Sequence, residues 1–297
     1  MSTPGTTAAH AEENPPRPPA RTSMARPSMA RRLADLVAYR DLIQNLVIRE
    51  LKARYKNSVL GFLWSLLNPL AMMLVFSAVF TFMIPTYDIP LYPIYILCGL
   101  LPWNFFSASL LASVHSVVGN SPLVKKVYFP REILPIAAVL SQLVNFLLAL
   151  VVLFVALLVF QGNFSPWLWM LPIVILMQTC FIIGLAFILS TLNVFYRDVG
   201  MIMDVVVLAW FFLTPVFYPL DILPKEYFLL GITWDVHRIM YIVNPMASII
   251  NTYRDLLYWG TYTQADFFLR TAVTSGGVLV VGYWFFTRYS GRFGEEL

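Results

Sequence analysis

Charge is scarce in this chain of 297 residues: Asp, Glu, Lys and Arg together make up 12% of it. A soluble domain carries about a quarter, which argues against a water-soluble enzyme. Histidine is thin as well, and His10, His115 and His237 are too scattered for a zinc site. The two cysteines, Cys98 and Cys180, lie in apolar runs and have neither a disulfide framework nor metal-ligand spacing. None of the 14 glycines fits the phosphate-binding pattern GxxxxGK(S/T). HExxH, GxSxG and carboxylate pairs at acid–base spacing are missing too. The chain therefore has no energy source of its own and no recognisable catalytic constellation, so anything it moves uphill must be driven by another subunit.

What is abundant is apolar surface. Hydrophobic residues make up 59% and the mean hydropathy is +0.72. Six apolar runs stand out: 61–84, 92–118, 136–160, 167–192, 201–218 and 271–287. The first is uncharged and long enough to cross about 30 Å of hydrocarbon. Proline interrupts several (Pro69, Pro102, Pro172, Pro215), which neighbouring helices can accommodate. Asp204 is expected in the first turn of the fifth helix, as a partner of its N-terminal dipole. The reading is an all-α integral membrane protein with six transmembrane helices.

Residues 1–32, rich in Pro, Arg, Ala and Ser with no apolar core, read as a disordered cytoplasmic tail and not as a signal peptide. Residues 33–60 read as an amphipathic interfacial helix running into the first span. Its polar stripe is Asn45, Arg49, Lys52 and Lys56, with Leu36, Ile43, Val47 and Leu51 roughly opposite. Arg40 and Arg54 intrude on the apolar side, their stems snorkelling to the interface. Basic residues crowd this end, and no RNA- or DNA-binding motif accompanies them. An anionic membrane surface is the expected partner, not nucleic acid.

Orientation follows from the loops. Ten of the 20 Lys and Arg precede the first run; the first and third connecting loops, 85–91 and 161–166, have none. The second loop carries Lys125, Lys126 and Arg131, and the fourth Arg197. With six spans this places both termini in the cytoplasm. The fifth loop, 219–270, is too apolar for a linker. Asp235, His237 and Arg238 near the middle of its span-like stretch would be costly in hydrocarbon, so two short helices dipping in from outside are expected. A seventh span is the competing topology.

Two further features bear on function. Residues 119–132 read as a short helix bounded by Pro122 and Pro130, with Lys125, Lys126, Arg131 and Glu132 exposed. Such a lever would pass motion from a soluble partner into two spans; a basic loop that only sets orientation would look the same. Aromatics form 15% of the chain and cluster at 103–106 and 210–212, with Phe76 and Phe80 one helical turn apart. Their faces suit the C–H faces of sugar rings, although belt and core packing would use the same residues.

Four segments in order, RYKNSVLGFLWSLLNPL (54–70), SPLVKKVYFPREILP (121–135), NVFYRDV (193–199) and TPVFYP (214–219), resemble the ABC-2 type permeases. The nearest likeness is to the polysaccharide and polyol phosphate exporters, the membrane subunits for O-antigen, teichoic acid and related lipid-linked glycans. The resemblance runs from about Tyr39 to the C-terminus and makes 61–297 the transmembrane domain. It implies a gate helix whose Arg49, Lys52, Arg54 and Lys56 meet the pyrophosphate headgroup. It implies a coupling helix, with Ser121, Leu123, Lys125, Lys126, Tyr128, Arg131 and Glu132 docking on a separate ATPase. Phe76, Phe80, Trp210, Phe211 and Phe212 become candidates for the sugar path, and the two outer short helices become re-entrant. It further implies a homodimer with two ATPase chains that bind the ATP and Mg, none being bound here, and a multi-pass place in the bacterial plasma (inner) membrane. A drug or small-lipid exporter of the same build is an alternative. A membrane-embedded transferase is more remote, since Asp221, Glu226, Asp235, His237 and Arg238 lack catalytic spacing.

Overall fold

Among the described residues a polar helix comes first, and the order of the helices after it follows the apolar runs. The computed structural model describes residues 38–56, 58, 60–79, 82, 89–127, 129–160, 165–220, 226–229 and 232–297. The tail at 1–32, Phe80, Asp221 and Tyr128 lie outside the described residues. The helices are α1 (Arg40–Tyr55), α2 (Trp64–Ala78), α3 (Tyr92–Val114), α4 (Ser121–Lys126), α5 (Ile133–Val159), α6 (Leu171–Phe195) and α7 (Val199–Leu213). A two-stranded hairpin follows, β1 (Glu226–Leu229) and β2 (Ile232–Asp235). Then come α8 (Val236–Val243), α9 (Pro245–Arg254), a π-helical turn (Asp255–Trp259), α10 (Ala265–Tyr289) and α11 (Phe293–Glu296).

α3 is the centre. Almost every residue from Ile94 to Phe106 is buried, and α2, α5, α6, α7 and α9 all pack on it. Pro102 interrupts its backbone ladder. Nearby, Gln178 of α6 donates to the Pro102 carbonyl at 2.7 Å, and the Tyr253 hydroxyl of α9 donates to Gln178 Oε1 at 2.9 Å. All three residues are buried, and the polar chain is paired inside the bundle. Around this core the outward face of α5 is a stripe of exposed Leu147, Val151, Val155 and Leu158, spaced for one side of a helix.

α6 and α10 make the most extensive helix pair, and small residues allow it. A Cβ at Gly282 would lie 2.0 Å from the Gly184 carbonyl oxygen, and one at Gly184 would lie 2.5 Å from the Val278 carbonyl. The two backbones touch, as close helix contacts between apolar helices require.

Length separates the helices into two classes. Tyr92–Val114, Ile133–Val159, Pro166–Phe195 and Ala265–Glu296 are long and apolar enough to cross a bilayer. α2 and α7 are apolar but only 15 residues each, about 22 Å of helix. α7 stops because Thr214, before Pro215, is forced extended.

Two expectations are corrected. Asp204 is not in the first turn of α7: that helix starts at Val199 with Asp198 at its cap, and Asp204 is exposed in the second turn. The stretch after residue 225 is not purely helical either. Its Tyr227-Phe228 and Ile232-Thr233-Trp234 are strong strand formers, and they pair antiparallel with Glu226 opposite Asp235. The two short helices do exist, but only from Val236 onward, α8 capped by Asp235 and α9 by Asn244.

Gly282→Ala forces the α6–α10 contact apart and should cost about 1–3 kcal/mol, the usual penalty of overpacking. Gly277→Ala, where an added Cβ meets nothing within 4 Å, should leave thermal stability in detergent unchanged. Equal melting temperatures for the two variants would refute the contact's role.

Candidate functional site

The polar residues embedded in the apolar runs meet where α1 ends. Arg54 Nη1 donates to Gln142 Oε1 of α5 at 2.9 Å, and Tyr55 donates to Asn145 Oδ1 at 2.9 Å. Asn145 Nδ2 in turn donates to Gln142 Oε1 at 3.2 Å. α1 therefore packs along α5 through a paired polar seam, with Leu46 the residue it buries deepest. Arg49 Nη2 donates to Asn120 Oδ1 at 2.7 Å and also meets Glu50 at 3.3 Å. Asn120 is the residue before α4, and its own amide donates back to the Ser116 carbonyl. Of the four expected headgroup cations, Arg49 and Arg54 are thus tied to protein. Lys52 and Lys56 remain exposed.

Two hollows adjoin this seam. The inner one, about 350 Å³ and open on one side, lies between α1, α2, α3 and α5; its polar lining includes Arg54, Tyr55, Ser65, Asn68, Asn104, Gln142 and Asn145. Trp64, Phe105 and Phe146 supply aromatic walls, the last two stacked with centroids 5.0 Å apart. The outer one is a cleft along α1 lined by Asn45, Arg49, Lys52, Tyr55 and Lys56. Tyr55 belongs to both. The sequence signal for the inner hollow was Asn104 and the Gln142/Asn145 pair, amides inside apolar runs, yet none of the three was singled out.

α4 projects Lys125 and Lys126 outward, while Val124 is buried beneath them and Ser121 and Leu123 are half-buried. Pro122 sits inside the first turn and does not bound the helix. Arg131 and Glu132 are not exposed, contrary to expectation: Glu132 is buried and Arg131 half-buried. For Arg131 the cause is the C-terminal segment, which folds back against α4. Arg131 Nη1 donates to the Ser290 carbonyl, and its guanidinium lies 5.9 Å from the Phe293 ring centre. Phe293 is fully buried against Phe195 and Phe286. That contact joins residues some 160 positions apart, and local spacing gives no sign of it.

The expected sugar-path aromatics divide by environment. Phe76 of α2 stacks on Phe217 at 6.5 Å, and Phe217 also meets Phe211 and Phe212. Phe211 continues the series to Trp103 at 5.5 Å. Trp210 points to protein: its indole N–H donates to Asn244 Oδ1 at 2.9 Å and its ring stands edge-on to Phe106. Phe212 is exposed. Phe217 and Trp103, which hold this series together, were not among the expected path residues.

A second polar knot holds the turn after α7. Arg254, 4% exposed, donates to the Pro215 and Val216 carbonyls and lies 3.9 Å from the Tyr95 ring centre. Tyr92 donates to the Phe217 carbonyl, and Asn244 to Thr214. Its neighbour Asp255 is pushed up to about 6 by burial, against the pull of a hydrogen bond from Thr263. Among the described residues no three His, Cys, Asp or Glu side chains gather as for a metal.

The model of the ABC-2 type transporter family matches residues 41–258. The chain belongs to this family. It is 34% identical over 270 residues to the O-antigen export system permease protein RfbA of Myxococcus xanthus, covering 91% of this chain and all of that protein. The protein of the same name from Klebsiella pneumoniae is 32% identical over 259 residues, covering 86% and 95%. The polysialic acid transport protein KpsM of Escherichia coli is more distant, 21% identical over 229 residues, with 75% and 83% covered. In sequence α4, with Lys125 and Lys126 exposed, connects two long helices, α3 and α5.

Because the folded value of Asp255 lies above the ordinary carboxylate value, the fold favours its protonated form. Its contribution to stability should be full below about pH 4, decline as pH rises through about 6, and be lost above. Asp255→Asn should flatten that slope in melting temperatures taken from pH 4 to 7; an identical slope in the variant refutes the assignment.

Proposed function

We propose that this chain is the membrane-embedded permease of an exporter that carries a lipid-linked polysaccharide, of the O-antigen or teichoic acid kind, across the bacterial plasma membrane. The observation that carries the reading is similarity to two permeases named for O-antigen export, over 91% and 86% of this chain and 100% and 95% of theirs. The similarity to a polysialic acid transport protein points to the same cargo class.

In this reading α2 and α7 complete six crossings and both termini lie in the cytoplasm. Supporting it, α2 and α7 leave apolar faces exposed, including Leu74 and Val75 on one and Val205 and Leu208 on the other. A second copy would cover them, and two copies would enclose a conduit between these helices. The series Phe76, Phe217, Phe211 and Phe212 bridges α2 and α7 within one copy, suited to sugar faces that must slide without strong hydrogen bonds. α8 and α9 dip into the outer leaflet as the re-entrant pair.

Work comes from two ATPase chains, which hold the nucleotide and its Mg. Ser121, Leu123, Lys125 and Lys126 dock them; Arg131 and Glu132 brace the helix from behind. Tilting α4 moves α3 and α5 directly, and through Arg49–Asn120 it also moves α1. Lys52 and Lys56 receive the headgroup phosphate as charge-assisted donors.

Deleting the gene should abolish surface glycan, measured by extraction from intact cells. Lys125→Glu with Lys126→Glu should abolish co-purification of the ATPase. Lys52→Glu with Lys56→Glu should leave that association intact and reduce export roughly tenfold, the loss of about one charge-assisted contact. Normal surface glycan after deletion overturns the function; normal export by the Lys52/Lys56 variant overturns the headgroup contact.

A further inference from the structure

The hollow behind α1 has a chemistry that neither apolar packing nor the ATPase interface requires. Its lining is rich in amides and hydroxyls, contains one cation, Arg54, and holds no acid. Asn68 and Asn104 line it from α2 and α3, and their side-chain amides make no hydrogen bond to protein among the described residues. Asn104 is half-buried on a helix otherwise enclosed by apolar neighbours. Asn68 is exposed and Asn104 half-buried, so both amides are accessible from the hollow, and each offers both donors and an acceptor to what fills it. That is the pattern a sugar ring demands: hydroxyls to pair around its edge, and aromatic walls for its C–H faces. At about 350 Å³ the hollow lies at the lower end of small-molecule sites, roughly 300–1,000 Å³.

Position adds the second half. The lining residues of α3 and α5 lie roughly two to four helical turns from the α4 end of those helices. Across Tyr55 is the open cleft with Lys52 and Lys56. A ligand with a polyhydroxylated ring joined to a phosphate would place the ring among the amides and the phosphate on the lysines, with Tyr55 between.

We infer that this paired hollow is an intake site for a glycosyl phosphate: it takes the first sugar next to the phosphate link, one in each copy of the chain, before any glycan enters the conduit. The inference rests on the export reading and narrows it, since recognition is assigned to the reducing-end sugar and its phosphate. Two molecules share this chemistry, the lipid-linked glycan and the glycerol phosphate headgroup of an ordinary anionic lipid. The amide-rich lining of the hollow and its aromatic walls favour the ring.

The test uses the full chain with its ATPase in nanodiscs and three probes. These are a short polyprenyl pyrophosphate bearing one N-acetylhexosamine, the same pyrophosphate without sugar, and phosphatidylglycerol. Wild type should bind the glycosylated probe at least tenfold tighter than the bare one. Asn104→Leu should erase that preference while retaining the bare probe's affinity. Ala108→Leu, which fills the hollow without touching a polar group, should do the same, so the outcome does not hang on one variant's folding. Both variants must co-purify with the ATPase as wild type does. If both keep the tenfold preference, or if phosphatidylglycerol displaces the glycosylated probe at equal concentration, the inference is overturned. Its failure is separable from failure of the export reading: cells lacking the gene that still display surface glycan overturn the latter, whereas cells that lose it leave the export reading standing whatever the probes do.

Discussion

The structure depends on enclosing one uncharged helix, α3, on all sides. Between apolar helices in lipid there is little hydrophobic drive to associate, so shape and satisfied polar groups must hold them. α3 supplies both. Its apolar rings and branched chains fill the space between α5, α6 and α9, and its proline-interrupted backbone is met by Gln178, itself fixed by Tyr253. Those contacts anchor α9 to the bundle, which in turn places Arg254 under the turn that ends α7. One buried polar chain thus fixes the relation of the helices to the short elements between α7 and α10.

Function occupies the periphery of that core. α4 links the ends of α3 and α5, and the C-terminal segment props it from one side. The α1 seam lies against α5 on another side, joined to the residue before α4 by Arg49. In the proposed reading, partner docking and headgroup recognition are therefore adjacent, and a displacement at α4 has a short route to α1 through Arg49 and Asn120. Around α1 and α4 the arginines Arg49, Arg54 and Arg131 are hydrogen-bonded to protein, whereas Lys52, Lys56, Lys125 and Lys126 are exposed. This division suits their chemistry: the planar guanidinium holds a fixed geometry, and in the proposed reading the flexible ammonium serves an arriving partner.

Much of this was legible in order and little in proximity. The apolar runs mark the long helices because hydropathy is a local property, and the end of α7 follows from Pro215. The segment 214–219 was recognisable as a pattern, but its reason is tertiary: Arg254, Asn244 and Tyr92 hold its backbone from three separate elements. The hairpin at 226–235 was hidden because its alternating aromatic and branched residues read simply as apolar. Arg131 looked solvated because the segment that covers it comes at the far end of the chain. The hollow behind α1 needed four helices to meet; its amides, each lone in an apolar run, carry no periodic signature.

The backbone contact of Gly184 with Gly282 has a mechanical meaning. Side chains can slide or change rotamer under load, but two main chains in direct touch cannot yield without separating. α6 and α10 therefore form a stiff spine, and any bending of the bundle falls to helices that meet through side chains. What stiffens that spine is a pair of residues with no side chain at all.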